Sequence, residues 1–316
     1  MANGDTLLKY VFEVDVRTPT ADADASYLRK AVAVVKPATG VSTGALTRVV
    51  SAEAAAALTD NTDIAQLFNA GLEEVFVLPT DTLNIASALA NATQLFKTVL
   101  ISSDFTETEM ESLDVGTFDG VVAYTFATQS KAKTFGAGKN HCAFYSAVSA
   151  NKAANMFYSF GSFLGGTSWD NQQYISLPKD DGIDSVADAK SLFNDGISFA
   201  LTSAQYGTRL GFFVCGGQAI IAPYITEAFT LDMQGSALRY LNLNRPQYTL
   251  TQAKLLQDYL NKVADARYVQ TGLLTYANTE ITLVKSNYEA NASISIPEPS
   301  ALWRLVGTLT QEAYNA

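Results

Sequence analysis

Residues able to do chemistry are few in this chain. Its 316 residues include a single histidine, His141, and two cysteines, Cys142 and Cys215. His141 and Cys142 are neighbours in a segment, His141 to Ser146, that reads as a strand. Adjacent strand residues point to opposite faces, so this pair cannot make a thiolate–imidazole dyad together. Cys215 with His141 is geometrically open, but no motif supports it. The cysteines lie far apart without a CxxC, which reads as reduced, buried thiols of a chain made in a reducing cytoplasm. A zinc site of the usual kind would have to rely on carboxylates.

Loops that hold phosphate are also missing their key residues. Gly40-Val-Ser-Thr-Gly44-Ala-Leu-Thr47 is glycine-rich and follows a strand, yet it has no lysine, so it reads as a plain loop. Gly136-Ala-Gly138 precedes a strand and lacks the third glycine of a dinucleotide fingerprint, so it reads as a turn. No GxSxG elbow is present. Asp180, Asp181, Asp184 and Asp188 form an acidic cluster of the kind a hard cation uses. Their spacing does not match a calcium loop, and a solvated turn leading into a helix capped by Asp184 is simpler. Trp169 and Trp303 read as packing anchors. Asn91-Ala-Thr93 and Asn291-Ala-Ser293 fit the glycosylation pattern, but Met1-Ala-Asn-Gly-Asp carries no secretory signature, so these read as chance matches. The expectation is a non-enzyme with no catalytic residues, no metal and no cofactor.

Strands and helices exchange at short spacing along the body. Leu28 to Val35, Glu74 to Leu78, Thr98 to Ser102, Gly120 to Phe126 and His141 to Ser146 read as strands. Between them, Thr62 or Asp63 starts a helix that Gly71 stops, and Thr82 caps another through about Phe96. Thr106 with Glu109 makes a capping box, Gln129 to Phe135 is a short helix, and Asn151 to Leu164 is a longer one. This is the sequence form of βαβ units, so an α/β fold is expected, with a largely parallel sheet flanked by helices. Further on, Gln173 to Leu177 reads as a strand and Ser185 to Phe193 as a helix. Ile197 to Thr202 and Arg209 to Cys215 read as a hairpin. Helices follow over Thr226 to Leu243 and Thr251 to Arg267, then a strand over Ile281 to Val284. In the second of these helices Ala253, Leu256, Leu260 and Val263 form an apolar stripe, and Lys254, Asp258 and Lys262 share another face.

Both ends differ from this body. Tyr10, Phe12, Val14 and Val16 alternate with Val11, Glu13, Asp15 and Arg17, which is strand periodicity. A polar, small-residue stretch, Thr18 to Ser26, then sets that strand apart. The other end has two strand-like pieces around Pro297-Glu-Pro299. The resulting division is an N-terminal arm (1–26), a first α/β part (27–170), a second (171–290) and a C-terminal arm (291–316).

Charge narrows the partners. With 21 basic and 31 acidic residues the net charge is −10, which argues against nucleic acid or an anionic membrane surface as partner. The longest apolar stretch, Leu210 to Ile225, is broken by glycines and Pro223, so it is not a membrane span. Charged residues make up 16% of the chain, against roughly 25% in an average soluble domain. Either neutral polar groups solvate the surface or other subunits cover it; the tethered strands favour the second.

Several motifs in the second half point one way. Asn194-Asp-Gly-Ile197, Tyr206-Gly207-Thr-Arg209 and Phe213-Val-Cys-Gly216-Gly217 give a strand, a glycine turn and a second strand ending in glycine. Thr230-Leu-Asp232, Leu238 to Pro246, Tyr248-Thr249 and Tyr268-Val-Gln-Thr-Gly272-Leu follow. Ile294-Ser-Ile-Pro297 and Leu302 to Leu309 close the chain. Together they resemble the contractile tail sheath proteins of tailed bacteriophages and related contractile injection particles. The detailed resemblance covers about the last 40% of the chain, and the rest matches in architecture.

What the resemblance implies is an assembly. Sheath subunits stack as hexameric rings around a tail tube, and arms from both termini add strands to the sheets of neighbours. Contraction is a rigid-body rearrangement that drives the tube through the host envelope for genome ejection, with no nucleotide consumed. The expected partners are copies of the chain itself, the tube protein, and baseplate and tail terminator proteins. The expected place is the virion tail, assembled in the host cytoplasm. By position, Tyr10, Phe12, Val14 and Val16 fall in one arm, and Ile294, Ile296, Leu302, Trp303, Leu305 and Val306 in the other. Lys254, Asp258 and Lys262 are candidates for the tube-facing helix. The chain is shorter than many sheath proteins, so an additional outward-facing domain is expected to be missing. The alternatives are another phage structural or assembly protein with similar arms, and a small-molecule-binding α/β protein.

Overall fold

The computed structural model describes residues 25–90, 92, 95–136, 141–146, 153–166, 175–177, 182–205, 207–284 and 289–297. Ala31–Val35 (β1), Val75–Pro79 (β3), Thr98–Ile101 (β4) and Val121–Phe126 (β5) are buried along their whole length, while the short β2 (Thr47–Val49) is buried only at Val49. Strands that are apolar on both faces must be covered on both faces, which is the condition of a parallel sheet between helices. β6 (His141–Tyr145), β7 (Ser198–Ser203) and β8 (Gly207–Phe212) complete it.

The sheet order is β2-β3-β1-β4-β5-β6-β7-β8. Val32 of β1 stands opposite Phe76 of β3 and Val99 of β4, in parallel register. Pairing stays parallel through β4–β5, β5–β6 and β6–β7; β2 and β8 run antiparallel at the two edges. The fold is thus α/β with a largely parallel sheet, as the strand–helix alternation requires.

Helices cover the faces: α1 (Ala52–Ala56), α2 (Asp63–Asn69), α3 (Ala86–Ala90), α4 (Glu107–Glu111), α5 (Gln129–Gly136), α6 (Ala154–Gly165), α7 (Val186–Asn194), α8 (Ile221–Asn244) and α9 (Leu250–Ala264). Strand alternation sorts them into two cores. Ala31, Ala33 and Val35 meet Ile64 and Leu67 of α2, Phe157 and Phe160 of α6, and Tyr224 and Phe229 of α8. Val32 and Val34 meet Leu89 of α3, Met110 of α4, Ala132 of α5 and Leu192 of α7. Each fully buried Val, Leu or Phe side chain contributes about 1.5–3 kcal/mol from leaving water, so these layers dominate the stability.

Local signals explain most boundaries. Thr106 accepts from the Glu109 N–H, and the Glu109 carboxylate accepts in return from the Thr106 N–H at 2.7 Å, a complete capping box. Past α2, Gly71 has φ +99°, and the Leu72 N–H reaches back to the Leu67 carbonyl at 3.1 Å. That six-to-one bond is the glycine-terminated end expected there.

Other boundaries move. Leu28 lies in a 3₁₀ turn, Ala25–Arg29, and the strand begins at Ala31. The helix expected from Thr82 starts at Ala86, where Asn84 Oδ1 accepts from the Ala86 N–H. Ser185, not Asp184, caps α7, accepting from the Asp188 N–H. α8 begins five residues earlier than expected, because Pro223 sits in its first turn where a missing N–H costs no helical bond. Of the expected strand Gln173 to Leu177, Ser176 makes one bridge to Arg209. β2 and α1 were not expected; each is too short for a periodic signal.

Candidate assembly interface

The residues that invited a search for chemistry are occupied with packing. His141 is half-buried between Phe135 and Tyr124, with ring centroids 6.1 and 5.8 Å away, and burial pulls its pKa down. Cys142 points to the other face, its Sγ 3.5 Å from Ser198 Oγ, and burial pushes the thiol up to about 12. Cys215 is buried with its thiol pushed well up. Burial thus disfavours the thiolate at both cysteines. Asp184 and Asp188 are exposed, and Asp180 and Asp181 lie outside the described residues. Among the described residues no three His, Cys, Asp or Glu side chains converge to hold a metal ion. No helix among them is long and apolar enough to cross a membrane.

In an open α/β sheet the usual ligand crevice lies at the carboxyl ends of the strands where the order reverses, here beside β1 and β4. Its polar groups bind one another. Asp104 Oδ2 accepts from the Lys36 N–H and the Ser102 hydroxyl, each at 3.2 Å, and Oδ1 accepts from Asn61 at 2.8 Å. Asp63 Oδ2 accepts from the Ser103 N–H and hydroxyl at 2.9 and 2.6 Å. Lys36 Nζ pairs with Glu109 at 2.9 Å.

That pair makes a pH prediction. Lys36 first, then the Thr106 N–H and hydroxyl, hold the Glu109 carboxyl down to about 2, well under the usual carboxylate range. A folded pKa below the unfolded one stabilises above the unfolded value and loses that stability as pH falls toward about 2. Glu109→Gln is expected to melt lower than the parent at neutral pH, with the gap closing on acidification. Melting curves across that range check it; a gap that stays constant with pH would contradict the pairing. The effect is small, because both side chains are about a third exposed and solvent screens them.

The arrangement that stands out lies at the other end of the chain. β11 (Asn278–Val284) and β12 (Glu289–Ser295) form a two-stranded antiparallel hairpin separate from the main sheet. One face, with Ile281, Ile294 and Ile296, packs on the core beside α8 and α9. The two edges differ. On β11, the Thr279 N–H donates to Asn261 Oδ1 at 2.8 Å and the Ile281 N–H to Gln257 Oε1 at 3.1 Å. Two amides four residues apart on α9 therefore close that edge.

Among the described residues the β12 edge is open. In an antiparallel ladder a residue whose N–H points outward faces a partner that also points outward. Thr279 faces Ile294, Ile281 faces Ala292, and Leu283 faces Ala290. The N–H groups of Ala290, Ala292 and Ile294 thus line the free side, and among the described residues nothing accepts from them. Beside this edge runs an apolar groove of about 270 Å³, walled by Phe229, Met233 and Ala237 of α8, Leu260 of α9, and Ile294 and Ile296.

The structure joins motifs that are distant in sequence. After α9 the chain makes a π-helical turn, Asp265–Val269, and Tyr268 Oη donates to Asp232 Oδ2 at 2.8 Å while Arg267 pairs with Asp232 Oδ1 at 2.8 Å. Phe213 sits at the centre of an aromatic cluster, and the Gly216-Gly217 pair, with φ +57° and +78°, turns β9 (Val214–Cys215) into β10 (Gln218–Ala219). Both positive φ values are what a two-residue hairpin turn demands.

Of the residues singled out from sequence, Ile294 and Ile296 are brought to the groove, within the chain's own hairpin and its end. Lys254, Asp258 and Lys262 are all exposed on one face of α9, away from Ala253, Leu256 and Leu260. Tyr10, Phe12, Val14, Val16, Leu302, Trp303, Leu305 and Val306 lie outside the described residues. Gln257 and Asn261 were missed. Their spacing of four was visible, but their role depends on what packs beside α9.

The architecture is a contractile tail sheath fold. No protein-family model matches the chain, and no curated protein matches it. Solved structures do. A chain of the anti-feeding prophage baseplate, 6-fold symmetrised, superposes with a TM-score of 0.66 at 12% identity, covering 94% of this chain and 97% of that one. A chain of the anti-feeding prophage helical sheath in its contracted state gives 0.60 at 13% identity, covering 94% and 98%. The contracted-state baseplate of the same particle gives 0.57 at 11% identity, covering 95% and 97%. At these identities the likeness is one of fold.

Proposed function

We propose that this chain is a structural subunit of a contractile tail sheath. It polymerises as stacked rings around a tail tube, its neighbours linked by exchanged strands, and contraction drives the tube through a target envelope. The observation that carries this is the fold likeness along 94% of the chain to the anti-feeding prophage helical sheath. The open edge of β12 supports it, because an exposed row of backbone donors is a template for another strand. The donor strands are Tyr10 to Val16 and the segment with Leu302, Trp303, Leu305 and Val306. Ile294 and Ile296 serve as the receiving wall. Lys254, Asp258 and Lys262 supply charge to a tube-facing helix. Tube, baseplate and terminator proteins are the further partners, and the particle is the place of action.

Negative-stain microscopy of the purified chain tests this. Tubes or stacked rings are expected, and their yield depends on salt because bodies of net charge −10 repel one another. A strictly monomeric chain that binds a metabolite would overturn the reading in favour of a small-molecule-binding α/β protein.

A further inference from the structure

We propose that, before assembly, the chain's own N-terminal strand, residues 10–16, seats on the open edge of β12 over the apolar groove and caps it. This rests on the strand-exchange reading above and adds a control to it. A neighbour's strand must then displace a resident one.

The edge itself calls for a cover. The row of Ala290, Ala292 and Ile294 N–H groups beside an apolar groove would pair with any passing strand, and proteins block such edges to avoid indiscriminate association. The N-terminal segment fits in length and pattern. Residues 10–16 number seven, as does β12. In a third strand, Tyr10, Phe12, Val14 and Val16 would fall toward Phe229, Met233 and Ala237. Glu13 and Asp15 would then face water.

Position favours the chain's own copy. The first described turn, Ala25–Arg29, is fastened next to the groove: Tyr27 Oη donates to Glu227 Oε1 at 2.8 Å. Glu227 follows Thr226, which lines the end of the groove. Lys97 Nζ holds the other Glu227 oxygen at 3.4 Å and donates to the Asp119 carbonyl at 2.6 Å, so this root is tied to the sheet. Residues 17–24 span up to roughly 26–29 Å when extended. α8 covers only about 16 Å from Thr226 to Ala237. The strand therefore reaches. A short tether gives an effective concentration of about millimolar. At micromolar protein, the chain's own strand outcompetes a neighbour's by about a thousandfold. Exchange then waits for the high local concentration of a growing ring.

The test pairs Val14→Cys with Thr230→Cys in one full-length chain, and separately with Gln234→Cys. Thr230 and Gln234 both line the groove and neither is fully buried, so folding is preserved. Cys142 and Cys215 are buried and stay out of the reaction. Oxidised glutathione takes two electrons and two protons from the engineered thiols, which join as a disulfide while two glutathione thiols are released. The expected product at micromolar protein is a monomer with an internal bond, whose yield does not change on dilution. Val11→Cys, on the opposite face, should link far less than Val14→Cys. Dimers from mixed single variants, growing with concentration and replacing the internal product, would show that the strand belongs to a second copy and overturn the proposal. No link at either groove position would overturn it as well. Tubes are scored separately by microscopy, so the cap and the sheath reading can fail independently.

Discussion

Replacing Ala292 with proline is expected to abolish ordered assembly while leaving the isolated chain folded. The Ala292 N–H points out of the β12 edge, so proline there removes no bond of the hairpin. It does remove a donor from the open edge, and its ring blocks the approach of a partner backbone. Each 1.4 kcal/mol lost per contact raises the concentration needed for assembly about tenfold, and a lattice repeats the loss at every subunit. Ser293→Pro is the contrast. Ser293 lies opposite Glu280 in a bonded pair, so proline there breaks the hairpin and lowers the stability of the monomer. Sedimentation and microscopy read assembly, and thermal melting reads the fold. Parent-like tubes from Ala292→Pro would mean that β12 receives no strand.

Phe213→Ala is expected to destabilise the chain by about 3–5 kcal/mol, the usual cost of emptying a fully buried aromatic site. Phe213 is 0% exposed, and its ring makes edge contacts with Phe144, Phe160 and Phe163, at 5.8, 5.0 and 5.9 Å between centroids. Phe163 in turn meets Tyr224 of α8 at 5.0 Å. Such pairs add about 0.5–1.5 kcal/mol each beyond area burial. A domain has only about 5–15 kcal/mol in total, so this one change consumes a large share. The cluster joins β6 and α6 to the segment entering α8, and α8 carries the groove wall. Loss of Phe213 should therefore loosen the groove as well as the sheet. Urea unfolding followed by tyrosine fluorescence measures it. A shift below about 1.5 kcal/mol would show that this ring cluster is not a main support of the core.

Much of the molecule was legible in the residues. β1, β3, β4 and β5 announce themselves as short, doubly apolar runs, because a parallel strand is buried on both faces. The capping box at Thr106 and the stop at Gly71 were readable because each is decided within four or five residues. The incompatibility of His141 with Cys142 followed from strand alternation alone. Failures cluster where several local signals compete or the element is too short to carry one. Asn84, two residues past Thr82, is the side chain that accepts from the Ala86 N–H, and spacing alone could not choose between the two; nothing in three-residue β2 distinguishes it from loop.

The receiving site shows the same division most clearly. By itself the sequence determined an α/β fold with a largely parallel sheet, and a scarcity of charge that suits a covered surface. Those properties rest on periodicity and composition, which are local or additive. Only the tertiary structure decided that Ile294 and Ile296 belong to an internal hairpin and groove, that Gln257 and Asn261 close one edge, and that the other is open among the described residues. A backbone donor is free or satisfied according to what lies within about 3 Å of it, and for Thr279 and Ile281 that partner comes from another element, 18 and 24 residues away. No spacing along one strand encodes which of its sides another element will cover.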